Sequence, residues 1–171
     1  MMLDPARLTE RHEFYFGLLP QLADWGYNTL WWHFMDDAGF ALRLQSHPEL
    51  ASPFAFSRAE TARLVRQAAR HGIEVVPEVE CLGHALSITA LPRYARLFNG
   101  EPHGHNAVCP SHPDTLPLIR DIIEEVAALF HSPYFHAGLD EANLGDCPRC
   151  RGPGQGPAAV VGLLQARARR P

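Results

Sequence analysis

The sequence predicts an α/β fold, specifically a partial (β/α)8 TIM barrel of about four βα units, or half a barrel. Two observations support this prediction. Short apolar runs alternate with amphipathic segments of helical period, which is typical of parallel strands joined by crossover helices. Reactive polar residues follow each apolar run at once, and in a barrel the carboxyl-terminal strand ends form the active face.

The first unit begins with MMLD, at residues 1–4, which reads as the tail of a strand. Between residues 10 and 24 apolar side chains recur at helical spacing, and Gly26 follows where a left-handed residue commonly ends a helix. The run NTLWWHF, at residues 28–34, is continuously apolar and rich in β-formers. It predicts a strand buried on both faces.

The second unit opens with SRAE, at residues 57–60, a capping box that predicts a helix start. Gly72 ends that helix, and IEVVPEV, at residues 73–79, predicts the next strand.

The third unit has Ser111 near a helix start and the apolar run YFHAGL, at residues 134–139, as its strand. After Cys150 the chain turns to glycine, proline and arginine. We therefore expect residues 1–150 to form the half barrel and residues 151–171 to be an irregular tail.

Composition narrows the function class. The chain has 171 residues, of which 46% are hydrophobic and 20% charged, so it should form one globular domain. A formal net charge of -4 without a basic face argues against nucleic acid as a partner. No apolar run approaches the ~20 residues that cross a bilayer, so no membrane association is expected. The N-terminus lacks the order of a signal peptide, which makes the cytoplasm the default location.

Four clusters of reactive side chains follow the four predicted strands. A barrel would bring them together at one mouth, where carboxylates, imidazoles and a guanidinium suit acid and base chemistry on a polar substrate. The clusters are Asp4 and Arg7; His33, Asp36 and Asp37; Glu78, Glu80 and His84; and His136, Asp140 and Glu141.

Asp140 and Glu141 are adjacent, and neighbours on an extended strand point to opposite faces. They share a site only if the strand ends or bulges there, which Gly138 and the following ANLG favour. On the pair alone, a helix cap or a solvent-facing loop is the favoured interpretation, and the other clusters shift the balance towards function.

Several motifs in order resemble the glycoside hydrolase family 20 β-N-acetylhexosaminidases. MLDPAR resembles the family's first strand with its substrate-binding arginine, and NTLWWHFMDDAGFALRLQSHPEL its long His-x-x-Asp-Asp segment. GIEVVPEVECLGHA resembles its third strand and histidine, and YFHAGLDEA its His-x-Gly-x-Asp-Glu signature. The resemblance covers about residues 1–145. It implies that the chain is the N-terminal half of this barrel and that its substrate is an N-acetylhexosamine-terminated glycan.

The resemblance also implies a mechanism, substrate-assisted retaining hydrolysis, which needs no enzyme nucleophile and no cofactor. Glu141 would be the general acid and base, while Asp140 would orient the substrate's 2-acetamido group. Arg7 would hold ring hydroxyls. Asp36, Glu80, His84 and His136 would bind the substrate or support the catalytic pair.

Three positions depart from the family pattern: Glu80 stands where an aspartate is usual, and Leu82 and Leu139 replace a proline and a glycine. A half barrel would also leave a sheet edge and an apolar inner face uncovered, so self-association is expected.

Other polar and aromatic residues in the strands are interpreted as structural. His33 and His136 lie within apolar strands and are interpreted as buried, hydrogen-bonded scaffold residues. Trp31 and Trp32 are expected to pack in the core rather than to stack on a sugar.

Residues that could bind a metal leave two alternative functions open. Cys147 and Cys150 form a C-x-x-C of zinc-knuckle type, but no second pair exists, so no metal site is expected. Cys81, Cys109 and the histidines of EPHGHNAVCPSHP are the residues available to complete one. One alternative is therefore a non-catalytic carbohydrate-binding or zinc-stabilised module. The other is a metal-dependent hydrolase using His33, Asp36, His84 and Asp140.

Overall fold

The computed structural model describes residues 1–98, 107–142, 144, 147–150 and 161–162. Its strands are β1 (Met2–Leu3), β2 (Thr29–His33), β3 (Met35–Asp36), β4 (Gly39–Phe40) and β5 (Glu74–Glu78). Its helices are α1 (His12–Asp24), α2 (Arg58–Arg70), α3 (Leu86–Thr89) and α4 (Thr115–Phe130), with 3-10 turns at Pro48–Leu50 and Ala95–Leu97. The predicted order of strands and helices is confirmed as far as β5 and α4. The predicted tail lies almost wholly outside the described residues.

The start of α2 illustrates how local sequence sets an element boundary. The Ser57 hydroxyl accepts a hydrogen bond from the Glu60 amide at 3.2 Å, and the Glu60 carboxylate accepts one from the Ser57 amide at 2.8 Å. This reciprocal pair satisfies two amides that a helix start would otherwise leave unpaired. The predicted capping box is confirmed.

The main sheet has the order β1-β2-β5, and both pairings are parallel. Leu3 pairs with Trp32, and His33 pairs with Glu78. A short antiparallel hairpin, β3 and β4, follows β2 directly and pairs Asp36 with Gly39. Because the parallel strands end at one edge, the residues after each of them lie side by side.

The fourth predicted strand, at residues 134–139, is only a parallel bridge between Glu78 and His136, which corrects the sequence prediction. Backbone bonds with strand geometry join His136 to Pro77 and Val79 at 2.9 and 3.0 Å. A third backbone bond joins the Cys81 amide to the Gly138 carbonyl at 3.0 Å. On the other side of His136 the pairing ends at Tyr134, whose amide donates to the Ser132 hydroxyl at 3.0 Å.

The two faces of the sheet differ in burial. Leu30 and Trp32 of β2 and Val75 of β5 are fully buried in the main core, to which α1, α2 and α4 contribute. On the opposite face Trp31 and Val76 are half-buried. The prediction of a β2 strand buried on both faces is therefore wrong for Trp31. No described helix has the length and apolar character needed to span a membrane.

Candidate active site

The carboxyl ends of the parallel strands surround a cavity of about 570 Å³. All seven residues predicted for the site line it, so the structure brings them together. The lining residues are Met2, Arg7, Trp31, His33, Asp36, Glu78, Glu80, His84, His136, Leu139, Asp140 and Glu141.

Asp140 and Glu141 reach the same cavity because the chain turns at this point. Glu141 has a φ of 49°, in the left-handed region that L-residues rarely adopt. This conformation breaks the strand alternation that would send the two carboxylates to opposite faces. One oxygen of each carboxylate and a ring nitrogen of His84 lie within 4.8 Å of one another.

His84 connects Glu141 to the deeper part of the cavity. Its Nε2 lies 3.3 Å from Glu141 Oε2, and its Nδ1 lies 3.7 Å from an oxygen of both Asp36 and Asp37. The preceding Gly83 allows this approach, since a Cβ there would lie 2.9 Å from the Asp140 carbonyl oxygen. The loop after β5 is therefore packed directly on the backbone that carries the acidic pair.

Asp36 is a buried carboxylate at the centre of the polar network. The β3–β4 hairpin holds it at the end of β2, where it is 3% exposed. Its Oδ2 lies 3.4 Å from Arg7 Nη1 and 3.3 Å from His33 Nε2. Arg7 is also hydrogen-bonded to Asp4, which fixes the guanidinium beside the cavity.

His33 and Glu78 form a buried pair behind Asp36. Both His33 nitrogens face carboxylates, because Nδ1 bonds Glu78 and Nε2 faces Asp36. Burial lowers the His33 pKa, but the hydrogen bond to Glu78 and the nearby negative charges outweigh it and raise the pKa to about 8. His136 Nδ1 lies 2.7 Å from the other Glu78 oxygen without hydrogen-bond alignment. The prediction that His136 is buried is wrong, because its side chain is 44% exposed at the cavity wall.

Glu80 is 1% exposed, and its Oε2 has no hydrogen-bond partner among the described residues. Burial, with the negative charges of Glu78 and Asp140, raises its pKa to about 8, so the carboxyl group is mostly protonated at neutral pH. The Glu80 carboxyl group packs against Gly138, where an added Cβ would overlap it. The longer side chain fits because residue 138 is glycine.

From the sequence, His33 and Glu78 are expected at the barrel mouth without a catalytic role, and Trp31 is expected in the core; all three line the cavity. Trp32 is in the core as expected, whereas Trp31 is not. The missed signal is the two-residue period: Trp31 and His33 share one face of β2, and their register partners Val76 and Glu78 share the same face of β5.

Some cavity residues have the donor types of a metal site. Ligand atoms of His33, Glu78 and Glu80 lie within 4.8 Å of one another. Both His33 nitrogens already face carboxylates, however, so coordination by this residue would have to break a buried ion pair. Cys147 and Cys150 do not line the cavity.

The model of the family 20 glycosyl hydrolase catalytic domain matches residues 1–153. The chain is 31% identical over 186 residues to a beta-hexosaminidase of Vibrio furnissii, covering 88% of this chain and 30% of that protein. It is also 31% identical to beta-hexosaminidase subunit A1 of Dictyostelium discoideum, covering 84% of this chain and 29% of that protein. The chain thus spans about 30% of the length of these curated relatives.

Solved structures resemble the fold over most of the chain. The beta-N-acetylhexosaminidase from Bacteroides fragilis superposes with a TM-score of 0.81 at 25% identity, covering 99% of this chain and 39% of that one. The N-acetyl-beta-hexosaminidase of Streptomyces plicatus, solved with Thio-NAglucal, gives a TM-score of 0.72 at 31% identity over 82% of this chain and 32% of that one. The fold is therefore α/β and of the TIM-barrel type.

Proposed function

The chain belongs to glycosyl hydrolase family 20, and from this membership we propose that it hydrolyses terminal β-linked N-acetylhexosamine from glycans. The observation that carries the proposal is the meeting of Asp140, Glu141 and His84 within 4.8 Å at the cavity. One carboxylate is then available for the substrate amide and the other for the glycosidic oxygen.

The proposed reaction is substrate-assisted and retains the anomeric configuration. The oxygen of the substrate's 2-acetamido group attacks C1 while Glu141 donates its proton to the departing glycosidic oxygen. Asp140 orients the amide and balances the positive charge that develops on its nitrogen. Glu141 then accepts a proton from water, which opens the oxazolinium intermediate at C1 and restores the acid.

The surrounding residues have supporting roles in this proposal. Arg7 donates charge-assisted hydrogen bonds to ring hydroxyls from the cavity wall. Asp36 holds Arg7, and His84 holds Glu141, so the substrate-binding cation and the acid are linked through one carboxylate. Glu80 and His136 complete the wall, and the protonated Glu80 adds no further negative charge beside Asp140.

We further propose that residues 1–150 are the N-terminal half of the (β/α)8 catalytic barrel. Three parallel strands and a fourth paired segment, covered by helices on one face, agree with half of an eight-stranded barrel. The half-buried Trp31 and Val76 lie on the face that would point into the barrel. A fold completed by further strands would bury this face.

The test is hydrolysis of a chromogenic N-acetyl-β-glucosaminide by the purified chain. We expect Glu141→Gln to lower the rate by about 100-fold or more, because it removes the transferable proton. Glu13→Gln is the matched control, since Glu13 lies exposed on α1. Folded wild-type protein without activity would contradict hydrolysis by this chain and favour a carbohydrate-binding module.

A second variant tests the substrate-assisted step. Asp140→Asn should slow hydrolysis of the N-acetylated substrate because the amide loses its charged partner. The unacetylated β-glucoside should be hydrolysed poorly by both proteins, so the selectivity between the two substrates should shrink. Equal losses on both substrates would instead assign Asp140 a role unrelated to the acetamido group.

A further inference from the structure

Three cysteine thiols meet outside the cavity. Cys109 Sγ lies 3.5 Å from Cys147 Sγ and 3.6 Å from Cys150 Sγ. The three sulfur atoms lie within 4.8 Å of one another, and all three cysteines are free. The sequence lacks a second C-x-x-C pair, but a third thiol comes from a residue 38 positions before Cys147.

Both segments that supply these thiols are ordered by their own backbone bonds. The Cys109 amide donates to the Leu97 carbonyl, and its carbonyl accepts from the Thr115 hydroxyl at 2.7 Å. Across from it, the Cys150 amide donates to the Cys147 carbonyl at 3.0 Å, which closes a tight turn around the C-x-x-C. The sulfur positions therefore follow from the backbone rather than from loose side chains.

The spacing of the sulfurs distinguishes a metal site from a disulfide. A disulfide needs an S–S distance of about 2.05 Å. Thiolates bound tetrahedrally to zinc at about 2.3 Å lie about 3.8 Å from one another. The observed 3.5 and 3.6 Å are close to the second value. The C-x-x-C spacing is also typical of two zinc ligands on one turn.

We propose that Cys109, Cys147 and Cys150 bind one Zn²⁺ ion, with a water molecule as the fourth ligand beside the half-buried Cys150. The ion ties the turn at residues 147–150 to the segment that leads into α4. Glu141 lies six residues before Cys147, so the metal would anchor the loop that follows the acidic pair. The zinc ion would hold the loop after Glu141 in place and would take no part in the proposed hydrolysis.

The test measures metal binding directly, so its result does not depend on glycosidase activity. The full chain is reduced, freed of metal under anaerobic conditions and reconstituted with zinc sulfate. We expect one zinc per chain by elemental analysis, and cobalt substitution should produce a sulfur-to-metal charge-transfer band of three-thiolate intensity. Cys147→Ser and Cys150→Ser should bind zinc at least tenfold more weakly in competition with a chromogenic chelator.

Cys81→Ser is the matched control. Cys81 is buried, and its thiol donates to the Val79 carbonyl, a bond that a serine hydroxyl can replace. This variant should retain one zinc per chain. If a cysteine variant does not fold, the zinc content and the cobalt spectrum of the wild-type chain are sufficient to test the proposed site. Reduced wild-type protein that takes up no zinc, or equal zinc loss in Cys81→Ser, would overturn the proposal.

Discussion

His84 and Glu141, whose side chains approach to 3.3 Å between Nε2 and Oε2, both have left-handed backbone conformations, with φ of 46° and 49°. Such a conformation costs an L-residue about 1–2 kcal/mol and persists only where the surroundings impose it. Gly83 makes the packing of the two turns possible, because a Cβ there would lie 2.9 Å from the Asp140 carbonyl oxygen. The proposed acid is therefore positioned by backbone conformation as well as by its imidazole partner.

Two variants of His84 separate these contributions. His84→Asn removes the imidazole but tolerates a left-handed backbone, so we expect nearly wild-type stability and at least tenfold lower activity. His84→Val removes the imidazole and is β-branched, so we expect a further loss of about 1–2 kcal/mol in the free energy of unfolding. Urea denaturation and the chromogenic assay measure the two effects. Equal stability of both variants would show that the backbone at residue 84 is unstrained.

Gly138→Ala tests the contact between residue 138 and the carboxyl group of Glu80. The added methyl group overlaps this buried side chain, so we expect a loss of about 1–3 kcal/mol in the free energy of unfolding. The loss should shrink in a Glu80→Ala background, where the overlapping atoms are absent.

The control for this substitution is Gly17→Ala in α1, where a Cβ meets nothing within 4 Å. Because alanine is the better helix former, Gly17→Ala should be neutral or stabilise by up to about 1 kcal/mol. A similar loss at both glycines would attribute the Gly138→Ala effect to something other than the Glu80 contact.

Glu80 and His33 make stability depend on pH. The pKa of each group is raised in the folded chain to about 8, from ordinary values of 4.5 and 6.5. The folded state therefore holds more protons than the unfolded state between pH 6.5 and 8, and stability falls as pH rises through this window. The expected slope is about 1.4 kcal/mol per pH unit for each group.

Urea denaturation at several pH values measures this slope. Glu80→Gln replaces the raised carboxyl group by a neutral amide and should make the slope shallower, whereas the exposed Glu13→Gln should leave it unchanged. Stability that rises between pH 6.5 and 8 would mean that these groups do not control the pH dependence.

We expect the chain to self-associate through the exposed side chain of Met2 and the outer edge of β1. Met2 is 41% exposed at the cavity, and within the described part of the chain no strand pairs with the outer edge of β1. We expect sedimentation velocity to show larger species at higher concentration. Met2→Lys should weaken them, whereas Trp25→Lys, at an exposed position after α1, should not. A monomer at every concentration would contradict the expectation.

Several local features of this fold were readable from sequence because they depend on neighbours along the chain. The reciprocal bonds of Ser57 and Glu60, the strand after Gly26 and the helix before β5 follow from spacing and capping alone. The extent of the fourth strand was not readable, because its pairing joins His136 to Pro77 and Val79, which lie far from it in the sequence. These groups become neighbours only after folding.

The sequence by itself determined the kind of protein: the alternation of strands and helices, and the acidic and basic side chains that each strand delivers to one rim. Only the tertiary structure decided how those side chains are arranged. Two left-handed residues turn Asp140 and Glu141 into one cavity, and the register of β2 with β5 sets His33 beside Glu78. It also brings Cys109 to the C-x-x-C turn. The physical reason is that side-chain distances across long sequence separations depend on strand register and packing, which no local pattern encodes.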